Sequence, residues 1–428
     1  MTCCRGSGDG GRSTWLDQME PGRLGTYCSY FLLGLGIFVS IVLQQTYAQS
    51  VDIWTNGCDE EEDFKDECMR NSAVFRFSMA LSVVFGIHMI GTYMYPPFYD
   101  NMWVPKFSLF FVLVILFSFL DSDIFNDDGF AWFARIAGFF FVIIQQVILL
   151  DFAYLWNEKW VSYATDNGGE DGSEIYLYGL LGFSASLFIG SIIAIAFMYQ
   201  NFECSEATGI ITMTLVFTMA STLFQVFFTE HGSLLTSAIV TAYATFLCYS
   251  SISLNPNSDC NPTISDYDQD VTRVVGSLLA ALTISYTTYA TVEKSKELRG
   301  AQQDPFLKRP PGPEGEEQST VPARARDSES DEDGKNNEGS EVKQGYTEDM
   351  KKLLTEVACI FLLVSCYFAM VITNWATEQR GGDSSNPTNG NAAMWLQATA
   401  QWIALVLYAW TLVAPTIWPD RDFSGAQV

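Results

Sequence analysis

Eight side chains draw attention because they are polar or charged within stretches that are otherwise apolar: Arg76, Arg135, Gln146, Asp151, Arg273, Thr283, Tyr286 and Thr287. An arginine or aspartate costs about 2.5–3.5 kcal/mol at mid-depth in hydrocarbon, so such residues survive where they have a partner or a task. Each arginine falls within about six residues of one end of its stretch, near enough for the guanidinium to snorkel to the interface. There it can hold a lipid phosphate, or pair with an acidic neighbour such as Asp127, Asp128 or Asp270. Asp151 lies at the opposite end of its stretch, where a carboxylate reaches the interface in the same way. Thr283, Tyr286, Thr287 and Thr291 share one helical face, as do Ser237, Thr241, Thr245 and Cys248. Arg135 and Gln146 lie within about 20° of a common face, at different depths. Such stripes could replace the hydrogen bonds a polar headgroup loses in hydrocarbon. They also tie helix to helix in any membrane bundle, so both readings stand at this point.

Enzymatic chemistry finds little to work with. The chain has two histidines, His88 and His231, neither beside a plausible nucleophile, and no glycine-rich phosphate loop or lipid-transferase signature. The expectation is a protein that is not an enzyme and needs no metal or cofactor. A net charge of −26 leaves no basic stripe to neutralise phosphates, which excludes nucleic acid as a partner. Ser328 and Ser330 each have an acid three residues on, the pattern of acid-directed phosphorylation, although a merely solvating linker has the same composition. Asn261 and Asn386 begin Asn-Pro-Thr, where proline blocks glycosylation.

The elements that must carry these residues are membrane helices. About twenty apolar residues cross about 30 Å of hydrocarbon, and ten such stretches are legible: 25–48, 73–95, 104–120, 130–157, 175–199, 207–228, 233–253, 271–292, 351–374 and 393–418. Lysine and arginine gather on one side of this pattern. With the N-terminus in the cytosol, exofacial loops hold only Lys65, Arg70 and Arg380, which predicts that both termini are cytosolic. The organisation expected is a cytosolic N-terminus (1–24), eight spans (25–292), an acidic disordered cytosolic loop (293–350), two further spans (351–418) and a cytosolic tail (419–428). The loop is rich in proline and acids and poor in large apolar residues, so it cannot offset its ordering entropy.

The same topology puts Cys58, Cys68, Cys204 and Cys260 on the exofacial, oxidising side. Cys58 and Cys68 share a loop and form the natural local pair, leaving Cys204 with Cys260, although four cysteines allow three pairings. Small residues recur at Gly182, Ser186 and Gly190, and at Gly276 and Ala280, predicting helices that are interior or at an oligomer contact.

Several strings spread along the chain resemble one family. The fourth span ends in Gln145-Gln146 followed by Asp151, then Trp156-Asn157-Glu158-Lys159-Trp160. The seventh opens at Ser233 and exits through Asn255-Pro256 to Cys260-Asn261-Pro262. The chain closes with Tyr408-Ala409-Trp410, Pro415 and Arg421-Asp422-Phe423-Ser424, and it begins with Cys3-Cys4. In this order the strings resemble the serine incorporator family of polytopic membrane proteins. The resemblance implies an all-α fold of two helical bundles around a long, tilted fourth helix. It also implies non-selective phospholipid scrambling, linked to phosphatidylserine and sphingolipid supply, in the endoplasmic reticulum, Golgi or plasma membrane. Membrane phospholipids are the partners expected, with serine, lipid-synthesis enzymes and a second copy of the chain as further candidates. Two rival readings are a scaffold that presents serine to lipid-synthesising enzymes and a coupled small-molecule transporter. The latter would favour broken helices and mid-depth charges.

Overall fold

Hydropathy decides where the chain crosses hydrocarbon, and backbone hydrogen bonding carries each helix past that boundary. The computed structural model describes residues 22–46, 62–120, 124–125, 129–166, 173–228, 233–257, 260–262, 269–303, 346–376 and 387–417. These form ten α-helices: α1 (Arg23–Thr46), α2 (Glu62–Met94), α3 (Trp103–Ser118), α4 (Phe130–Asp166), α5 (Ser173–Asn201), α6 (Ser205–Phe228), α7 (Leu234–Ile252), α8 (Gln269–Gln303), α9 (Glu348–Ile372) and α10 (Pro387–Ile417). No strand occurs among the described residues. All but α3 contain a stretch long and apolar enough to cross a membrane.

The third helix departs from the expected span of 104–120. It has 16 residues, about 24 Å of rise, which falls short of a 30 Å core. Its end has a visible cause. Arg76 of α2 donates to the carbonyls of Phe117 (3.0 Å) and Leu120 (2.8 Å), adding a charged donor at the helix C-terminus, where the dipole favours a cation. Other helices overrun their apolar cores. α2 starts before residue 73, α4 continues past 157, and α8 reaches Gln303. The first residues assigned to the acidic loop are therefore helical, and 304–345, with Ser328 and Ser330, lie outside the described residues. α9 restarts the chain with Thr347, whose side chain accepts from the Met350 N–H, and with Glu348 and Asp349 in its first turn, where the helix dipole favours acids.

Two groups of helices pack about α4. In the first, α2 lies against α9 and α1, with α3 and α8 at its margins. Phe85 stacks on Phe361 (5.5 Å between ring centroids), and the Ser78 hydroxyl donates to the Ser365 carbonyl at 2.7 Å. In the second, α7 is enclosed by α5, α6 and α10. α4 is 37 residues long, about 55 Å, and meets both groups. Phe141 touches Tyr367 of α9, Gln145 accepts from the Tyr243 hydroxyl of α7, and Trp156 meets Phe183 of α5.

The end of the molecule where α1 begins is knotted by Asp100. Its carboxylate accepts the N–H groups of Gly22 (2.5 Å) and Gly25 (2.7 Å) and the Tyr346 hydroxyl (2.6 Å). One side chain thus joins the start of α1, the α2–α3 turn and the approach to α9. Burial and the neighbouring carboxylate push the Tyr346 phenol well above its ordinary pKa, which keeps it a donor. Gly25 is needed here, because a Cβ would collide with the Tyr99 backbone and ring.

Candidate functional site: the crevice between α4 and α8

α4 of the middle layer and α8 of the first bundle meet along a narrow seam lined by Ile148, Leu149, Phe152, Leu282, Thr283 and Tyr286. The seam is too tight to admit a water-sized sphere. Near its end the Tyr286 hydroxyl donates to Asp151 Oδ2 at 2.6 Å, and the Phe152 ring meets the Tyr286 ring edge-on at 5.3 Å. The wall beside it faces outward, with Leu278 64% and Leu282 44% exposed. In a membrane, that face meets lipid tails. Beyond the Asp151–Tyr286 pair, Lys159 lies over the Tyr289 ring (5.8 Å) and Trp156 packs on Trp160. An ionic and aromatic mouth therefore follows an apolar slot with a polar clasp.

Of the residues singled out from sequence, this seam brings together Asp151, Thr283 and Tyr286. Thr287 follows one turn beyond Thr283, and both threonines spend their hydroxyls on carbonyls one turn back, Thr283 on Leu279 and Thr287 on Thr283. The remaining candidates go elsewhere. Arg76, expected either at an outer mouth or in a structural pairing, is 0% exposed. Its guanidinium is occupied by Ser72, Phe117 and Leu120 and lies 4.7 Å from the Phe125 ring centroid. Arg135 is 2% exposed and donates from Nε to the Trp375 carbonyl at 3.0 Å. That carbonyl belongs to a turn in which Asn374 and Trp375 hold left-handed backbone (φ 48° and 58°). Such geometry costs about 1–3 kcal/mol per residue and persists only when surroundings enforce it. Arg135 and the packing of Trp375 against Gly138 supply that enforcement. Gln146 is buried, 4% exposed, on α4. The side chain of Arg273, on α8, lies outside what the structure describes, as do those of Cys58 and Cys68. Cys204 and Cys260 are joined by a disulfide with Cα atoms 5.3 Å apart, tying the start of α6 to the segment after α7.

The two hydroxyl stripes do not merge into one track. The α7 stripe turns into the second bundle, where Ser237 bonds Gln225 and Tyr408, and Thr245 spends its hydroxyl on the Thr241 carbonyl. Gln225, Gln397, Gln401 and Tyr408 were missed in the sequence. Their signal was the spacing of Gln397, Gln401 and Tyr408 on one face of an apolar helix.

Comparison with known proteins adds what geometry alone cannot. Residues 13–421 match the family profile described as Serine incorporator (Serinc). The chain belongs to the serine incorporator family. It is similar to a "Probable serine incorporator" of Nematostella vectensis, 24% identical over 92% of this chain and 90% of that protein. It is also similar to "Serine incorporator 3" of Bos taurus (27% identical; 84% and 81% covered) and to "Membrane protein TMS1" of Saccharomyces cerevisiae (26%; 75% and 74%). This serine incorporator is accordingly an integral membrane protein along nearly its full length.

Proposed function

We propose that the protein moves phospholipids between leaflets without an energy source, along the seam of α4 and α8, with both termini in the cytosol. The role belongs to phosphatidylserine and sphingolipid supply and requires no catalytic group. The observation that carries this reading is the Asp151–Tyr286 clasp, set in an apolar seam beside a lipid-facing wall. A headgroup sliding in hydrocarbon loses several kcal/mol of hydrogen bonding, about 2–7 for each unpaired amide or hydroxyl. A seam that parts to offer Asp151, Tyr286 and Thr283 returns part of that loss, while the acyl chains stay in the bilayer. The packing of the seam makes this the closed form.

Purified protein in liposomes with a fluorescent lipid tests the reading. Quenching from outside should remove nearly all fluorescence, rather than the outer half, without ATP or an ion gradient. Serine uptake with static lipid would instead indicate a coupled transporter, and loss of only the outer half in protein-bearing vesicles would refute the proposal.

A further inference from the structure

The α8 side of the α4–α8 seam is rich in acceptors and poor in donors. Thr283, Thr287 and Thr291, on one face of α8, donate to the carbonyls of Leu279, Thr283 and Thr287 at 2.8, 2.8 and 2.7 Å. A carbonyl only accepts, so each threonine proton is committed, and what these hydroxyls have left to offer is oxygen lone pairs. Tyr286 likewise gives its proton to Asp151 Oδ2 at 2.6 Å. Parting the seam takes that proton away from the carboxylate, and Asp151 then requires a donor or a cation in its place.

Aromatic rings stand beside the same carboxylate. Phe152 follows Asp151 in α4 and meets the Tyr286 ring at 5.3 Å, and Trp156, one turn on, lies 5.6 Å from Phe152. Three residues past Tyr286, the Tyr289 ring holds an ammonium of the chain itself: Lys159 Nζ is 5.8 Å from its centroid. A cation at that distance is drawn to the ring by its quadrupole, and aromatic rings with a carboxylate are a common way to hold quaternary ammonium groups. Carboxylate, rings and lone pairs therefore share one electrostatic preference, for positive charge.

We propose that the seam selects lipids by their headgroup ammonium, passing choline, ethanolamine and serine lipids ahead of glycerol and inositol lipids. The inference rests on the lipid-moving reading above and names the substrate class of that same site. The trimethylammonium of choline has no proton to donate, yet its charge pairs with Asp151 and its methyl groups pack on Phe152 and Trp156. The ammonium of ethanolamine or serine donates to Asp151 and to the Thr283 oxygen, in charge-assisted bonds roughly twice as strong as those of a neutral hydroxyl. Glycerol and inositol headgroups bring neutral hydroxyls only, on a phosphate that Asp151 repels.

Full-length protein in vesicles of one composition tests this, with a trace of acyl-labelled fluorescent phosphatidylcholine, phosphatidylserine or phosphatidylglycerol in each batch. The rate at which a quencher added outside removes inner-leaflet label is the readout. The serine and glycerol lipids carry the same net charge and differ in the ammonium, so comparing them needs no variant. The choline and serine lipids should cross severalfold faster than the glycerol lipid. Asp151→Asn, which keeps an acceptor for Tyr286, should slow the first two toward the rate of the third. Equal rates for the serine and glycerol lipids in the native chain would overturn the selectivity and leave lipid movement standing. So would a difference that persists undiminished in folded Asp151→Asn protein. If none of the three lipids moves, the lipid-moving reading itself fails and the selectivity falls with it.

Discussion

A charged or hydroxyl side chain in a membrane helix is expensive wherever it sits, and what distinguishes one from another is what it touches. Arg135 is a tie between the middle helix and the left-handed turn after α9. A hydrogen bond from a charged donor contributes about 1.5–3 kcal/mol. Arg135→Met should therefore lower the unfolding midpoint in detergent, while lipid exchange per folded molecule stays at the native rate. A selective loss of exchange with unchanged stability would return Arg135 to a headgroup role. Tyr286 is different, because its hydroxyl closes the α4–α8 seam on Asp151. Tyr286→Phe removes the clasp and keeps the ring against Phe152, so opening becomes easier. Since about 1.4 kcal/mol is a factor of ten in rate, exchange should rise severalfold to about tenfold in a vesicle assay. A fall would mean that the phenol serves the passing lipid more than it guards the gate. The sequence revealed that Arg76, Arg135 and Asp151 were unusual but could not say which would be enclosed. Their partners, Phe117, Trp375 and Tyr286, are far along the chain, and two of them act through backbone carbonyls that no side-chain pattern encodes.

At the level of helices, hydropathy read nearly everything that lies in hydrocarbon and little of what lies beyond it. The α2, α4 and α8 extensions are polar turns whose helicity follows from hydrogen bonding continued out of the membrane, and α3 stops early because Arg76 reaches its last carbonyls. Small-residue ridges were legible as ridges but not as to which side they face. Gly276 lies where a Cβ would come within 3.3 Å of Val371, so it sets the approach of α8 to α9. Gly182 and Gly190 have nothing within 4 Å of a Cβ, and Ser186 beside them is exposed, so the α5 ridge turns outward within this chain. Gly276→Leu should overpack its contact and cost about 1–3 kcal/mol, seen as a lower unfolding midpoint. Gly182→Leu should leave that midpoint unchanged or raise it, since leucine is the better helix former. Equal damage from both would show that α5 is covered in the working protein.

For the molecule as a whole, the decisive feature is a middle helix of about 55 Å that packs against both groups of helices within one continuous core. The first is held by α2 and α9, the second by a buried hydrogen-bonded ladder of α7 and α10. The ten helices and the membrane setting could be read from apolar run lengths, although α3 falls short of a full span. The two-bundle arrangement rested on family resemblance, since periodicity does not say which helices are neighbours. α4 meets α8 far less than it meets α9, which makes the α4–α8 seam the place where the proposed lipid movement would part the helices. The most direct test is to fasten that seam. Phe152→Cys/Tyr286→Cys, whose native rings lie 5.3 Å apart, can be bridged by a short reducible thiol cross-linker in proteoliposomes, with the native chain treated in parallel. Lipid exchange should stop on bridging and return on reduction, with the treated native chain unaffected. Exchange that continues undiminished through the bridged seam would contradict the account.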